Sequence, residues 1–182
     1  MSDSFHVEGA EVVFHSYVFD VEKRTIAHDD KSFERDVAVH AGAVAVLAIN
    51  DQGQVGFIRQ YRATFDDLLY EIPAGTRDKE GEAPLETAKR ELLEEMGYFA
   101  NEWKLLGRFM NSPGWTDQVM TIYEARDLSE SERAPAGPEE RDSTIHWLSP
   151  EELRRTLRAA PAIDSTTTIA LHRVFGTFFD EL

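Results

Sequence analysis

Hydrophobic runs in the first third of the chain predict β-strands. β-Branched and aromatic residues are concentrated at residues 11–19 and again at residues 33–39, which predicts two strands that form a small sheet of their own. Residues 43–49 are continuously apolar, which is typical of a buried central strand. A polar turn at residues 50–53 leads into residues 54–61, so the two segments are predicted to form a hairpin.

The middle of the chain changes from strand to helix periodicity. Residues 68–72 predict a short strand closed by a turn at residues 73–75. Over residues 84–96 the apolar positions recur every three or four residues, which predicts an amphipathic helix. Pro84 suits its first turn and Gly97 its C-terminal cap. The apolar face of the helix consists of Leu85, Ala88, Leu92 and Met96.

The last third predicts strands followed by helices. Strands are expected at residues 103–110, 119–125 and 144–148, with a polar loop at residues 128–141 before the last of them. Ser149, Pro150 and Glu152 form the pattern of an N-cap, a first-turn proline and a capping box, so a helix should follow. A final helix is predicted over residues 165–179.

Length and composition restrict the class of protein. The 182 residues, of which 42% are hydrophobic, suffice for one compact domain. A net charge of -15 argues against nucleic acids and anionic membranes as partners. Cysteine is absent, which excludes disulfides and thiolate chemistry. No apolar segment approaches the roughly 18 residues of a membrane span, so we expect a soluble cytoplasmic protein.

The predicted helix carries a cluster of acids. Glu91 and Glu95 are four residues apart and share one face, and Glu94 lies beside them. Carboxylates this close repel one another unless a cation compensates them, and oxygen ligands suit Mg²⁺ or Mn²⁺. The alternative is a solvated acidic surface, which is the usual role of a charge run.

The residues around this helix resemble the signature box of the Nudix hydrolase superfamily. Seven residues separate Glu82 from Arg90, as in the family, whereas six rather than five separate Gly75 from Glu82. An extra loop residue leaves the helix itself unchanged. The matching positions are Gly75, Glu82, Arg90, Glu91, Leu92, Glu94, Glu95, Gly97 and Tyr98.

The resemblance implies a fold and a metal site. The fold would be an α/β/α sandwich with a mixed β-sheet over residues 41–182, with residues 1–40 as a small N-terminal sheet that mediates dimerisation. The implied metal ligands are the carboxylates of Glu91, Glu94 and Glu95 and the backbone carbonyl of Ala74. Arg90 would orient Glu91 or Glu82.

Further stretches are similar to the ADP-ribose pyrophosphatase branch of that family. They are residues 60–62 and 70–75, together with Pro113, which lies 16 positions after Gly97. Arg62 would pair with Glu71 or reach a substrate phosphate. Trp115 and Phe19 are candidates for substrate contacts, although aromatic residues in strands usually belong to the core.

The branch also has a glutamate in a loop before the last strand, where it deprotonates the attacking water. Glu139 and Glu140 occupy that place, and the sequence favours Glu139 slightly. An ordinary acidic surface loop is the alternative. Glu94 is a further candidate for a catalytic role.

The function implied is hydrolysis of ADP-ribose to AMP and ribose 5-phosphate by a homodimer that uses Mg²⁺ or Mn²⁺. Two alternatives stay open. In the first, the enzyme hydrolyses another nucleoside diphosphate sugar or a dinucleotide. In the second, the chain is a non-catalytic ADP-ribose sensor. Because sensors of that kind typically lose box carboxylates and gain a basic DNA-binding domain, the complete box favours an enzyme.

Overall fold

A computed structural model describes residues 5–160 and 162–176, which form two compact units. The N-terminal unit comprises Met1–Gly42 and Phe109–Val119, and the main unit comprises Ala43–Arg108 and Met120–Leu182. The division of the chain into domains at residues 1–40 and 41–182 stays a prediction. In the described part of the chain, no helix has both the length and the hydropathy needed to cross a membrane.

The N-terminal unit contains an antiparallel sheet of three strands: β1 (His6–His15), β2 (Asp20–His28) and β3 (Lys31–Val39). The separate small sheet is therefore confirmed, but the strand predicted over residues 11–19 was wrong in its second half. The chain reverses there because the Ser16 hydroxyl accepts hydrogen bonds from the amides of Val18 and Phe19. β2 escaped prediction because charged residues interrupt its apolar pattern.

The main unit contains the remaining strands in two sheets. They are β4 (Ala43–Ala48), β5 (Val55–Arg62), β6 (Asp67–Glu71), β7 (Ala74–Thr76), β8 (Tyr98–Met110), β9 (Val119–Glu130) and β10 (Thr144–Leu148). One sheet has the order β7-β4-β9-β8 and the other the order β10-β5-β6. Because β4 pairs parallel with β9 and antiparallel with β7, the first sheet is mixed, as predicted.

Two predictions about the strands of this unit were wrong. β4 and β5 share only the single bridge Ile49 to Val55 and then enter different sheets, so they do not form a hairpin ladder. Residues 73–75 were predicted as a turn, yet Ala74–Thr76 is the short strand β7. Hydrophobic periodicity identifies a strand but does not identify its partner. The burial of β4 is confirmed, because all six of its residues are buried.

The helices are α1 (Pro84–Glu91), which continues into a π-helical turn (Leu92–Met96), α2 (Pro138–Arg141), α3 (Pro150–Ala159) and α4 (Ser165–Phe175). Gly97 ends the π-helical turn with φ 73°, in the left-handed region that glycine favours. The capping box at Ser149 is confirmed. The predicted last helix ends earlier, and its predicted residues from 177 onward lie outside the described residues.

The core of the main unit fixes the position of α1. Ala88, Leu92 and Met96 are at most 1% exposed and pack against Val46 of β4 and Ile58 of β5, together with their apolar neighbours. The helix therefore cannot rotate without exposing its apolar face to water. Its acidic side chains are held in one orientation for that reason.

Candidate active site

Two of the acids on the predicted helix are buried rather than solvated. Glu91 ends α1 and is 7% exposed, and Glu95 lies in the π-helical turn and is 3% exposed. A π-helical turn widens the helix by one residue and often marks a functional site. The alternative of a solvated acidic surface does not fit these two residues, because solvated carboxylates point into water.

Backbone atoms of β7 hold the carboxylate of Glu95. The Ala74 amide donates a hydrogen bond to Glu95 Oε2 at 2.8 Å. Just before this amide, the Pro73 carbonyl accepts from the Val46 amide of β4 at 2.9 Å. The buried central strand thus positions β7, and β7 in turn positions Glu95.

Gly75 allows a similarly close approach by Glu91. A Cβ atom placed on Gly75 would overlap the carboxyl group of Glu91. Because this group lies against the backbone of β7, any other residue at position 75 would displace it. The glycine was predicted from the family resemblance, and the structure supplies the steric reason for it.

Arg90 binds the carboxylates around it. Its Nη1 atom donates to Glu91 at 2.7 Å and to Glu94 at 3.0 Å, and its Nη2 atom donates to Asp78 at 3.1 Å and to Glu82 at 3.3 Å. Arg90 was predicted to orient Glu91 or Glu82, and it contacts both. Glu82 also accepts from the Thr87 hydroxyl, so the longer loop before the helix still brings it into place.

A single guanidinium cannot neutralise this many acids. Burial raises the pKa of Glu91 to about 7, with the negative charges of Glu94 and Glu140 adding to the effect and Arg90 opposing it. Burial also raises the pKa of Glu95 well above its usual range, and the charges of Glu91 and Glu140 raise it further. Both carboxylates therefore resist ionisation at neutral pH unless additional positive charge is supplied.

These observations fit a divalent cation. The donors are all oxygen atoms, which hard ions such as Mg²⁺ and Mn²⁺ prefer. Within residues 5–160 and 162–176, however, no three His, Cys, Asp or Glu side chains are already arranged as a metal cage. Arg90 contacts Glu91 and Glu94, and the Ala74 amide contacts Glu95, so a cation would have to compete with these hydrogen bonds.

The two candidates for the general base differ in position. Both belong to α2, but Glu139 is exposed whereas Glu140 is half-buried. Burial is the main cause of the raised pKa of Glu91 and Glu95, and the charge of Glu140 adds to it. Arg133 fixes this segment by donating to the Glu140 carbonyl at 3.0 Å and to the Ser143 hydroxyl at 2.8 Å. Glu140 Oε2 accepts from the Ala136 amide at 2.7 Å. The geometry thus favours Glu140, whereas the sequence slightly favoured Glu139.

Arg62 and Glu71 form an ion pair. Arg62 Nε donates to Glu71 Oε2 at 2.9 Å and to Oε1 at 3.2 Å, across the pairing of β5 with β6. Pairing with Glu71 was one of the two roles predicted for Arg62. Although burial opposes it, the pKa of Arg62 is raised by Glu71 and also by the charges of Glu95 and Asp164. Arg62 therefore contributes positive charge near the buried carboxylates.

The two aromatic candidates belong to the N-terminal unit. Phe19 is 38% exposed in the turn between β1 and β2, and Trp115 is 59% exposed in the loop before β9. The Trp115 carbonyl accepts from the Ala38 amide at 2.8 Å, and the Thr116 hydroxyl donates to the Ala38 carbonyl at 2.8 Å. This loop is therefore fixed to β3, and the Trp115 ring is free to contact a ligand.

Three contributors to the site were missed in the sequence. Asp78 joins the ligands of Arg90, and Thr87 supports Glu82. Asp164 acts on Arg62 across 102 positions, which no local pattern reveals. Thr87 had a usable signal, because it lies on the same turn of helix as Arg90.

Comparison with known proteins identifies the kind of domain. The NUDIX domain signature matches residues 39–168. The chain is 40% identical over 147 residues to an ADP-ribose pyrophosphatase of Mycobacterium tuberculosis, covering 79% of this chain and 71% of that protein. It is 36% identical to a methanol dehydrogenase activator of Bacillus methanolicus, covering 76% and 74%. A crystal structure of an ADP compounds hydrolase superposes with a TM-score of 0.80 at 24% identity, covering 94% and 92%.

The burial of Glu91 predicts how the free energy of unfolding of the metal-free protein depends on pH. For an acid whose pKa is higher in the folded state, stability is greatest below the unfolded pKa and falls as the pH rises through the folded pKa. A rise from 4.5 to about 7 corresponds to roughly 3 kcal/mol lost above pH 7. Glu91→Gln removes this loss. In EDTA, the free energy of unfolding of the variant should therefore increasingly exceed that of wild type between pH 4.5 and pH 7.

Glu102→Gln provides the control, because Glu102 is an exposed acid of β8 and this substitution changes the charge by the same amount as Glu91→Gln. Mg²⁺ should stabilise wild type and Glu102→Gln more than it stabilises Glu91→Gln. Parallel pH curves for wild type and Glu91→Gln would contradict the burial of a titrating carboxylate.

Proposed function

The chain belongs to the NUDIX family, and we propose that it hydrolyses the diphosphate bond of ADP-ribose to AMP and ribose 5-phosphate. The supporting observation is the buried pair Glu91 and Glu95, which is held against β7 and surrounded by further acids. An arrangement that requires added positive charge suits a reaction between a metal-bound protein and a polyanionic substrate. The name of the M. tuberculosis relative supports the choice of substrate.

The metal ligands we propose are Glu91, Glu94, Glu95 and the Ala74 carbonyl, with Mg²⁺ or Mn²⁺ as the ion. Bound there, the ion would neutralise the charge of the diphosphate and lower the pKa of a bound water. Arg90 keeps Glu91 and Glu94 on one side of the helix. If Glu91 and Glu94 bound the ion instead, the hydrogen bonds of Arg90 to Asp78 and Glu82 would still compensate the charge of Arg90.

Glu140 is the general base in this proposal. It takes a proton from the water that attacks one phosphorus, while the bond from that phosphorus to the bridging oxygen breaks and the second phosphate leaves with that oxygen. A general base must lie within hydrogen-bonding reach of the water that it deprotonates, directly or through one further water. Glu140 is close enough to Glu91 and Glu95 to act on their pKa values.

Arg62, Trp115 and Phe19 are the proposed substrate contacts. The half-buried Arg62 guanidinium interacts electrostatically with Glu95. It can therefore bind a substrate phosphate while it keeps its hydrogen bond to Glu71. Trp115 and Phe19 present exposed rings that suit stacking on a nucleobase.

A homodimer is the proposed assembly. Every residue of β1 is exposed, and this edge strand presents Val7, Val12, Val13 and Phe14 to solvent. A long exposed apolar edge strand is a surface that proteins normally cover, often with a second copy of the chain. The cytoplasm stays the predicted compartment.

Glu95→Gln tests the metal site. We expect turnover of ADP-ribose with Mg²⁺ to fall at least about a hundredfold, because removing a metal ligand removes charge stabilisation of the transition state. Glu102→Gln should keep wild-type turnover, and circular dichroism should show both variants folded. A panel of nucleoside diphosphate sugars and dinucleotides, with and without Mg²⁺, identifies the preferred substrate. ADP-ribose binding without any turnover would instead indicate a sensor.

Glu140→Gln and Glu139→Gln form a matched pair for the base. We expect kcat to fall roughly a hundredfold or more in Glu140→Gln with little change in KM, because general-base catalysis contributes about that much. Glu139→Gln should differ from wild type by less than about threefold. A larger loss in Glu139→Gln would transfer the role to that residue.

Phe14→Glu tests the dimer. Light scattering should give twice the chain mass for wild type and the single mass for this variant at low micromolar concentration, because a buried charge without a partner opposes association. Leu105→Glu is the control, since Leu105 of β8 is 54% exposed and Phe14 56%. A wild-type monomer, or dissociation by both variants alike, would rule out β1 as the interface.

A further inference from the structure

The main unit contains a cavity of about 430 Å³ that shares no residue with the buried carboxylates. It is lined by the edge strand β6, by the C-terminal half of α3 and by Ala162, Ile163 and Asp164 before α4. Its volume falls in the range of small-molecule sites, which extends from roughly 300 to 1,000 Å³. The residues that carry the argument are Arg59, Leu69, Tyr70, Arg155, Ile163 and Asp164.

Two residues that line the cavity lie on the opposite face of the β5–β6 ladder from the Arg62–Glu71 pair. Arg59 and Tyr70 are paired across the two strands, and both line the cavity. Glu71 follows Tyr70, and side chains alternate between faces along a strand, so Glu71 points to the other side with Arg62. None of Glu91, Glu94, Glu95, Arg62 and Glu71 lines the cavity, whereas Asp164 lines it and also raises the pKa of Arg62. The cavity is therefore a distinct space that shares Asp164 with the surroundings of the candidate active site.

Two arginines of the cavity are not held by a carboxylate. Within residues 5–160 and 162–176, no hydrogen bond or ion pair engages the guanidinium of Arg59 or Arg155, and Arg59 Nε is buried without an acceptor. The charge of Arg155 acts on Glu152, but the Glu152 carboxylate is bound to Ser149. The Arg59 guanidinium lies 5.6 Å from the centre of the Tyr70 ring. In a chain with net charge -15, such arginines beside a cavity are unexpected, because acids are abundant.

The acids that line the same cavity are already engaged. Asp164 caps α4, since its carboxylate accepts from the amides of Thr166 at 3.1 Å and Thr167 at 2.7 Å. Asp67 Oδ1 accepts from the Leu68 amide at 2.7 Å. These hydrogen bonds hold the two carboxylates to the backbone, and the arginines keep donors available for a ligand.

A shallow groove continues from the cavity along α3. Arg155 and Ala159 line both, and the groove adds Arg158 together with Arg154 and Glu151. α3 carries three arginines against two glutamates, Glu151 and Glu152, which leaves this helix with a small positive charge on an acidic protein. Leu69, Leu157 and Ile163 supply apolar wall inside the cavity. The site is thus apolar within and positively charged at one side.

We infer that this cavity is a second binding site, which takes a small organic phosphate. The apolar or aromatic body of the ligand fills the space beside Tyr70, Leu69 and Ile163. Its phosphate meets Arg59 and Arg155, since guanidinium groups bind phosphate oxygens in a bidentate manner. No divalent cation is needed, because the arginines supply the positive charge.

Calorimetric titration of EDTA-treated protein with phenyl phosphate tests this site. Without metal, the acidic helix repels anions, so binding reports on the cavity and is independent of turnover. Phenyl phosphate should bind more tightly than either inorganic phosphate or phenol, because inorganic phosphate lacks the aromatic ring and phenol lacks the phosphate. Arg155→Gln and Arg59→Gln should each weaken binding about tenfold or more, as expected for a lost hydrogen bond between charged groups.

Arg108→Gln is the matched control, because Arg108 is an exposed arginine of β8 outside the cavity. It should leave the affinity for phenyl phosphate within about twofold of wild type. Ala162→Trp should exclude phenyl phosphate by filling the cavity. No binding to wild type would overturn the inference, and so would equal weakening by Arg108→Gln or unchanged affinity in Arg155→Gln and Arg59→Gln.

Discussion

The close approach of β7 to α1 is the constraint on which the candidate active site depends. Ala74 donates to Glu95, and Gly75 leaves just enough room for the carboxyl group of Glu91. β7 has only three residues and would have little stability alone, but it pairs with β4, whose residues are all buried. The hydrophobic core therefore determines where two charged groups lie. A substitution that changes the packing of β4 would therefore displace the two carboxylates, even though it makes no contact with them.

This arrangement costs stability in the absence of a cation. Burial removes water from Glu91 and Glu95, and neighbouring acids raise their pKa further. Arg90 offsets part of the cost through four carboxylate contacts. Had the only requirement been a stable fold, a second arginine or an apolar pair at these positions would have served better. The remaining excess of negative charge is what the cation of the proposed function would compensate.

Features governed by local sequence were predictable. The apolar spacing on α1, the capping box at Ser149 and the left-handed glycine at position 97 all depend on neighbours within a few residues. The buried β4 strand was predictable because a continuous apolar run is stable only where both faces of the strand are covered. The resemblance of the box then supplied Gly75, which no periodicity would have singled out.

Features governed by distant contacts were not predictable in the same way. The sequence contains no sign that β4 and β5 separate into two sheets, since strand partners are chosen by the whole fold. Glu139 and Glu140 are neighbours with the same chemistry, and only the hydrogen bonds of Arg133 and Ala136 distinguish their positions. Arg59 and Arg155 are 96 positions apart and line the same cavity. Secondary structure is governed by neighbouring residues, whereas ligand sites are formed by tertiary contacts. The candidate sites were therefore harder to derive from the sequence than the helices and strands.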